Sequence, residues 1–161
     1  MRLYTAFVVL SLFSAPIAHA LDDENTRPSL RGIKGVKVIV EALPTDAERN
    51  GLTKSAIQTD IELKLRQAGI PVLNTGDADL FVSVSILADR DIAIWPFMIT
   101  VGLGQDGALV RDSSISLPLV VTWEVSSFGH VGKQNLRSVR DNVKDHVDSF
   151  INAYLVMNPK K

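Results

Sequence analysis

Between Val36 and Val125 the chain falls four times into strict two-residue alternation, the pattern of strands that bury one face. Val36, Val38 and Val40 alternate with Lys37, Ile39 and Glu41, and Leu80, Val82, Val84 and Ile86 with Phe81, Ser83, Ser85 and Leu87. Trp95, Phe97, Ile99, Val101 and Leu103 alternate with Pro96, Met98, Thr100 and Gly102. Ile115, Leu117, Leu119, Val121, Trp123 and Val125 alternate with Ser116, Pro118, Val120, Thr122 and Glu124. The short apolar run Ile70 to Leu73 adds a further strand candidate. Proline cannot donate to a ladder, so Pro96 and Pro118 are expected at an edge or a bulge. Turns are expected at Asp89-Arg90-Asp91 and, with hairpin chemistry, at Gln105-Asp106-Gly107.

Two segments carry a helical period instead. Thr53 can cap a helix whose Ile57, Ile61, Leu65 and Ala68 share a face, with Leu52 stapled to Ile57 and Gly69 as the stop. From about Gln134 to Val156, Leu136, Val139, Val143, Val147, Phe150 and Tyr154 form one stripe, ended by Asn158-Pro159. The order β-α-β-β-β-β-α predicts an α+β fold, a single mostly antiparallel twisted sheet of about five strands with two helices on one face.

Ahead of this domain, Arg2, an apolar run from Leu3 to Leu12 and the small-x-small triplet Ala18-His19-Ala20 have the layout of a secretory signal peptide. The run is shorter than the ~20 residues a membrane span needs. The expected organisation is therefore a signal peptide over 1–20 cleaved after Ala20, a flexible lead-in over 21–32 and one domain over 33–158. The processed chain is expected to be periplasmic or secreted, with no transmembrane segment. It contains no cysteine, which excludes disulfides and thiolate metal sites. The full chain's 17 basic and 18 acidic residues nearly balance, and no basic stripe points to nucleic acid.

Catalytic constellations are sparse. Outside the leader the histidines are His130, in a Gly-bounded loop, and His146, which phases outside the apolar stripe of the last helix. Neither has metal-ligand spacing, and no metal or cofactor is expected. Ser126, Ser127 and His130 cluster in sequence without a GxSxG motif, so a hydrolase is a remote alternative. Gly102-Leu103-Gly104-Gln105-Asp106-Gly107 has dinucleotide-loop spacing, but no helix follows it to hold a phosphate. Asp77 and Asp79 in NTGDAD lack the remaining ligands of a calcium loop.

The segment GHVGKQNLRSVRD, Gly129 to Asp141, leads a Gly-bounded turn into a helix start. His130, Lys133 and Arg137 could surround an anion or small ligand there. Arg140 falls inside the apolar stripe, where a buried guanidinium needs a partner, and Glu41, Glu124 and Asp60 are the available carboxylates. The alternate strand faces carry Ile39, Phe81, Leu87, Met98 and Val120. With helices on one face only, Phe81, Met98 and Val120 would form a partly apolar open face fit for a partner or for self-association.

The blocks RGIKGVKVIVEALPTDAERNGLTKSAIQTDIELKLRQAGIPVL and NLRSVRDNVKDHVDSFINAYLVMNPK resemble a family of uncharacterised secreted bacterial proteins over nearly the whole processed chain, Gly32 to Lys160. The resemblance implies a bacterial exported protein and brings no activity with it. The layout is also similar to small periplasmic α+β modules such as the amino-terminal domain of the Tol-Pal translocation protein, a likeness of fold alone. The sequence thus leads to the expectation of a non-enzymatic interaction module of the bacterial envelope. Its partner would be a protein or envelope component, or a second copy in a homo-oligomer.

Overall fold

The computed structural model describes residues 19–159 except 77, 88–90 and 92. The leader through residue 18, Asp77 of the NTGDAD segment, and Asp89 and Arg90 of the expected turn lie outside the described residues. The fold is α+β with one mixed sheet. Four strands carry it: β2 (Lys37–Val40), β3 (Ala78–Ile86), β4 (Ile94–Leu109) and β5 (Asp112–Gly132). A three-residue strand, β1 (His19–Leu21), pairs along β5 at one edge, giving the order β1-β5-β4-β3-β2. The expected cleavage point after Ala20 falls within β1. The helices are α1 (Thr45–Arg49), α2 (Lys54–Gln67) and α3 (Val139–Met157).

The crossover through α1 and α2 makes β2 and β3 parallel, while β3-β4 and β4-β5 are antiparallel. α2 forms as its punctuation implies. Thr53 Oγ1 accepts from the Ala56 N–H at 3.3 Å, and Gly69 takes a positive φ of 79° just beyond the end. Ile57, Ile61 and Leu65 are buried against the sheet beside Val139, Val143, Val147 and Phe150 of α3. One sheet face is therefore core. It comprises Val38 and Val40, Leu80 to Ile86 at alternate positions, Trp95 to Leu103 likewise, and Trp123.

The structure corrects several expectations. Ile70 to Leu73 is not a strand; it contributes one parallel bridge, Val72 to Val36. Pro71 supplies only its carbonyl to Val36 N–H, and Leu73 N–H returns to the Val36 carbonyl, so the ladder closes after a single step. Gln105-Asp106-Gly107 is not the hairpin turn. β4 runs on through all three residues, and the chain reverses at Val110-Arg111. The last helix begins as a 3-10 turn, Lys133–Ser138, before α3. The segment expected as a flexible lead-in packs on the body: Arg27–Leu30 is a 3-10 turn and Leu30 is fully buried. Asp22 accepts from both Arg27 Nε, at 2.6 Å, and the indole N–H of buried Trp123, at 2.9 Å. The Arg27 guanidinium holds the Asp22 carboxyl below its usual range.

Both prolines sit where a missing donor costs little. Pro96 lies just past the end of β3, and Pro118 lies in a bulge where Gln105 pairs Val120 and Gly107 pairs Leu117.

Candidate functional site

Among the described residues no helix lies on the second sheet face, and alternation fixes what stands there. Phe81, Met98, Thr100, Glu124, Ser126, Phe128 and His130 each lie one residue out of phase with a core position. The centre of this face is polar: Thr100 and Ser126 hydroxyls are 3.0 Å apart, and Ser126 donates to Glu124 at 3.0 Å. One end is apolar. Met98 pairs across the ladder with Phe128, and they are 50% and 61% exposed. Leu87, 72% exposed, stands beside them in an open groove of ≈ 460 Å³ that also takes in Ser85, Pro96 and Gly129.

Phe81 is only half-exposed, and the tip of its ring lies against Gly102. A Cβ at that glycine would stand 2.2 Å from the Phe81 Cζ. This contact explains why the GLGQDG run belongs to a strand: a glycine in a strand often marks the close approach of another group. Gly104 similarly admits the Leu119 side chain, and Gly107 that of Val120.

Beyond the last β3 pairing, Ala78 with Gln105, β4 and β5 continue as a two-stranded arm. Its apolar side chains face water: Val110 at the turn is fully exposed, and Ile115, Leu117 and Leu119 are also exposed. Leu119 holds a φ of 58°, a left-handed conformation that a γ-branched residue seldom adopts, within the Pro118 bulge. Val120, expected on the interaction face, is half-buried at the base of this arm.

His130, Lys133 and Arg137 are all exposed and are not gathered around one point. Lys133 Nζ sits 5.7 Å from the centre of the Trp95 ring, a cation–π contact. Arg137 Nε lies 3.4 Å from where a Cβ on Gly51 would stand, in the loop between α1 and α2. His130 is on the open face opposite Pro96. The helix start they were expected to flank is a 3-10 turn without a side-chain cap. Ser126 and Ser127 point to opposite sides of the sheet, so only Ser126 shares the open face with His130, and its hydroxyl is engaged with Thr100 and Glu124.

Arg140 finds its partner in Asp60 of α2, with Nε and Nη2 at 2.9 and 2.7 Å from one carboxylate oxygen and Lys144 Nζ at 3.7 Å. With Lys64 and Asp148, this pair ties α2 to α3. His146 departs from its expected place. It is half-buried, its Nε2 is enclosed without a partner, and burial pushes its pKa down, so the ring is neutral at pH 7. Among the described residues, no group of His, Cys, Asp or Glu is placed to hold a metal. No helix there is long and apolar enough to cross a membrane.

Phe128 lies beyond the alternation read from the sequence, which stops at Val125. The signal was present: Phe128 continues the every-second-residue series of Glu124 and Ser126.

No family model matches the chain and no curated relative was found. Solved structures similar to it include two of the same protein. One is a single-site variant of the PelC dodecamer from Paraburkholderia phytofirmans, 12% identical over 88% of this chain and 97% of that one, with a TM-score of 0.49. The other is the PelC dodecamer from the same organism in a second crystal form, 14% identical over 84% and 97%, with a TM-score of 0.47.

Proposed function

We propose that this protein is a non-enzymatic interaction module of the bacterial envelope, working in the periplasm or after secretion. It engages a protein or envelope component, or a second copy of itself, through the open face of its sheet. What carries this reading is the Leu87, Met98 and Phe128 cluster, three large apolar side chains at least half exposed around one groove. Scattered exposed apolar residues are ordinary, whereas a contiguous set on an uncovered sheet face is a docking feature. The exposed arm at the far end of β4 and β5 offers a second apolar surface, since a two-stranded ribbon without a packed face is marginal in water by itself.

The test is light scattering and native mass spectrometry on protein purified from periplasm, with and without Met98→Glu/Phe128→Glu. A stable oligomer or copurified protein that the double substitution releases supports the reading. A partner-free monomer in both cases ends it.

A further inference from the structure

The two exposed apolar surfaces lie at opposite ends of one sheet. The groove of Leu87, Met98 and Phe128 sits where β3 ends and β4 begins. The arm starts past the pairing of Ala78 with Gln105, at the other end of β4. Met98 and Leu109 are separated by roughly 35 Å of strand, so the arm does not reach the groove of its own molecule.

Both surfaces are free of charge where they are most apolar. From Ser113 to Trp123 the arm's β5 strand carries no charged residue. Exposed strands are commonly guarded by charges, bulges or short length, and here the guard is the Pro118 bulge. The tip is already shaped: Asp112 Oδ1 accepts from the Ser114 N–H at 3.1 Å and from its hydroxyl at 2.6 Å. Little ordering is therefore lost when it docks. The groove is lined by Leu87, Pro96, Met98 and Phe128 with Ser85 and Gly129, again without a charge, and its ≈ 460 Å³ has room for a few aliphatic side chains.

We propose that the arm of one copy seats in the groove of a second copy, a head-to-tail contact. This rests on the open-face reading and names the occupant of that groove. At roughly 150–200 Å² for a large apolar side chain in the open, Val110, Ile115, Leu117, Leu119 and Val121 leave roughly 450 Å² exposed on the arm, and Leu87, Met98 and Phe128 roughly 350 Å² at the groove. A specific interface buries about 1,200–2,000 Å² in all, a little over half of it apolar, so arm and groove together supply the apolar part of one such contact. Pairing groove with groove would leave the arm bare, and pairing arm with arm would leave the groove open. Arm in groove covers both with a single contact, a projecting ribbon against a concave surface. Because the two surfaces differ, a pair of copies still holds one free arm and one free groove, and assembly continues to a ring or a filament.

The experiment is sedimentation velocity of the intact protein over a concentration series. It compares the parent with Val110→Glu/Ile115→Glu on the arm, Met98→Glu/Phe128→Glu at the groove, and an equimolar mixture of the two variants. The parent is expected to form species larger than a dimer. Each variant alone is expected to associate at least tenfold more weakly with its urea midpoint in place; where a double variant loses that midpoint, Val110→Glu and Phe128→Glu alone repeat the comparison. The mixture is expected to form a dimer and nothing larger, because one intact arm and one intact groove remain between the two molecules. A parent that is monomeric at every concentration, either variant associating as the parent does, or a mixture as monomeric as its components would overturn the proposal. A different protein that copurifies with the parent and the arm variant, and is lost from the groove variant, would also overturn it while leaving the open-face reading in place.

Discussion

The two faces of the sheet are cut from the same strands, one residue apart, and they are built to different ends. Toward the helices, Trp95, Ile99, Val101, Leu103 and Trp123 are buried almost completely, and Trp123 meets Phe150 edge-on at 5.4 Å. Toward solvent, the adjacent positions hold Thr100, Glu124 and Ser126, flanked by exposed Met98 and Phe128. Alternation determines which side chains share a face, but it does not make the second face a leftover. The Phe81 ring on Gly102 shows that this face has packing of its own.

The covered face should be the more sensitive. Trp123→Ala removes the ring contact between β5 and Phe150 of α3 and leaves Asp22 short of a donor. A loss of about 3–5 kcal/mol in urea unfolding is expected. On the open face, Gly102→Ala places a Cβ inside the Phe81 ring, and about 2 kcal/mol should be lost as that ring is displaced. Phe81→Leu in the same chain should recover part of the loss, a coupling that a double-mutant cycle measures.

At the join between helices, Asp60→Asn leaves Arg140 half-buried with a weaker partner. A loss of about 1–2 kcal/mol is expected, less than for a fully buried pair because both side chains retain some solvent. The smallest of these effects is one of pH. The Asp22 carboxyl is held low in the folded protein, so its stabilisation is complete above the unfolded value near pH 4 and fades as pH falls through the folded one. Asp22→Asn should flatten the unfolding midpoint over that acidic window and leave no new slope at neutral pH.

Where a residue's local pattern and its tertiary role agree, the sequence is legible. The alternating runs became β2 to β5, Thr53 caps α2, and Arg140 pairs with one of the three carboxylates its phase allows. Where the cause is tertiary, local rules mislead. The glycines of GLGQDG have turn chemistry in isolation, yet they are there to clear space for Phe81, Leu119 and Val120 from neighbouring strands. Ile70 to Leu73 is apolar enough for a strand, but Pro71 stops its ladder at one bridge. The expectation that His146 phases outside the stripe was wrong: it stands seven residues from Val139 and four from Phe150, on the stripe's edge, so its ring is half-buried rather than solvated.

The difference between the faces reduces to neighbouring residues on β4. Urea unfolding of Met98→Glu/Phe128→Glu beside Ile99→Ala tests it directly. The charged pair should stay within about 1 kcal/mol of the parent, as surface changes do, while Ile99→Ala should lose about 2–4 kcal/mol. Equal losses from the two would contradict the account, because Met98 and Phe128 would then be holding the fold together rather than waiting for a partner.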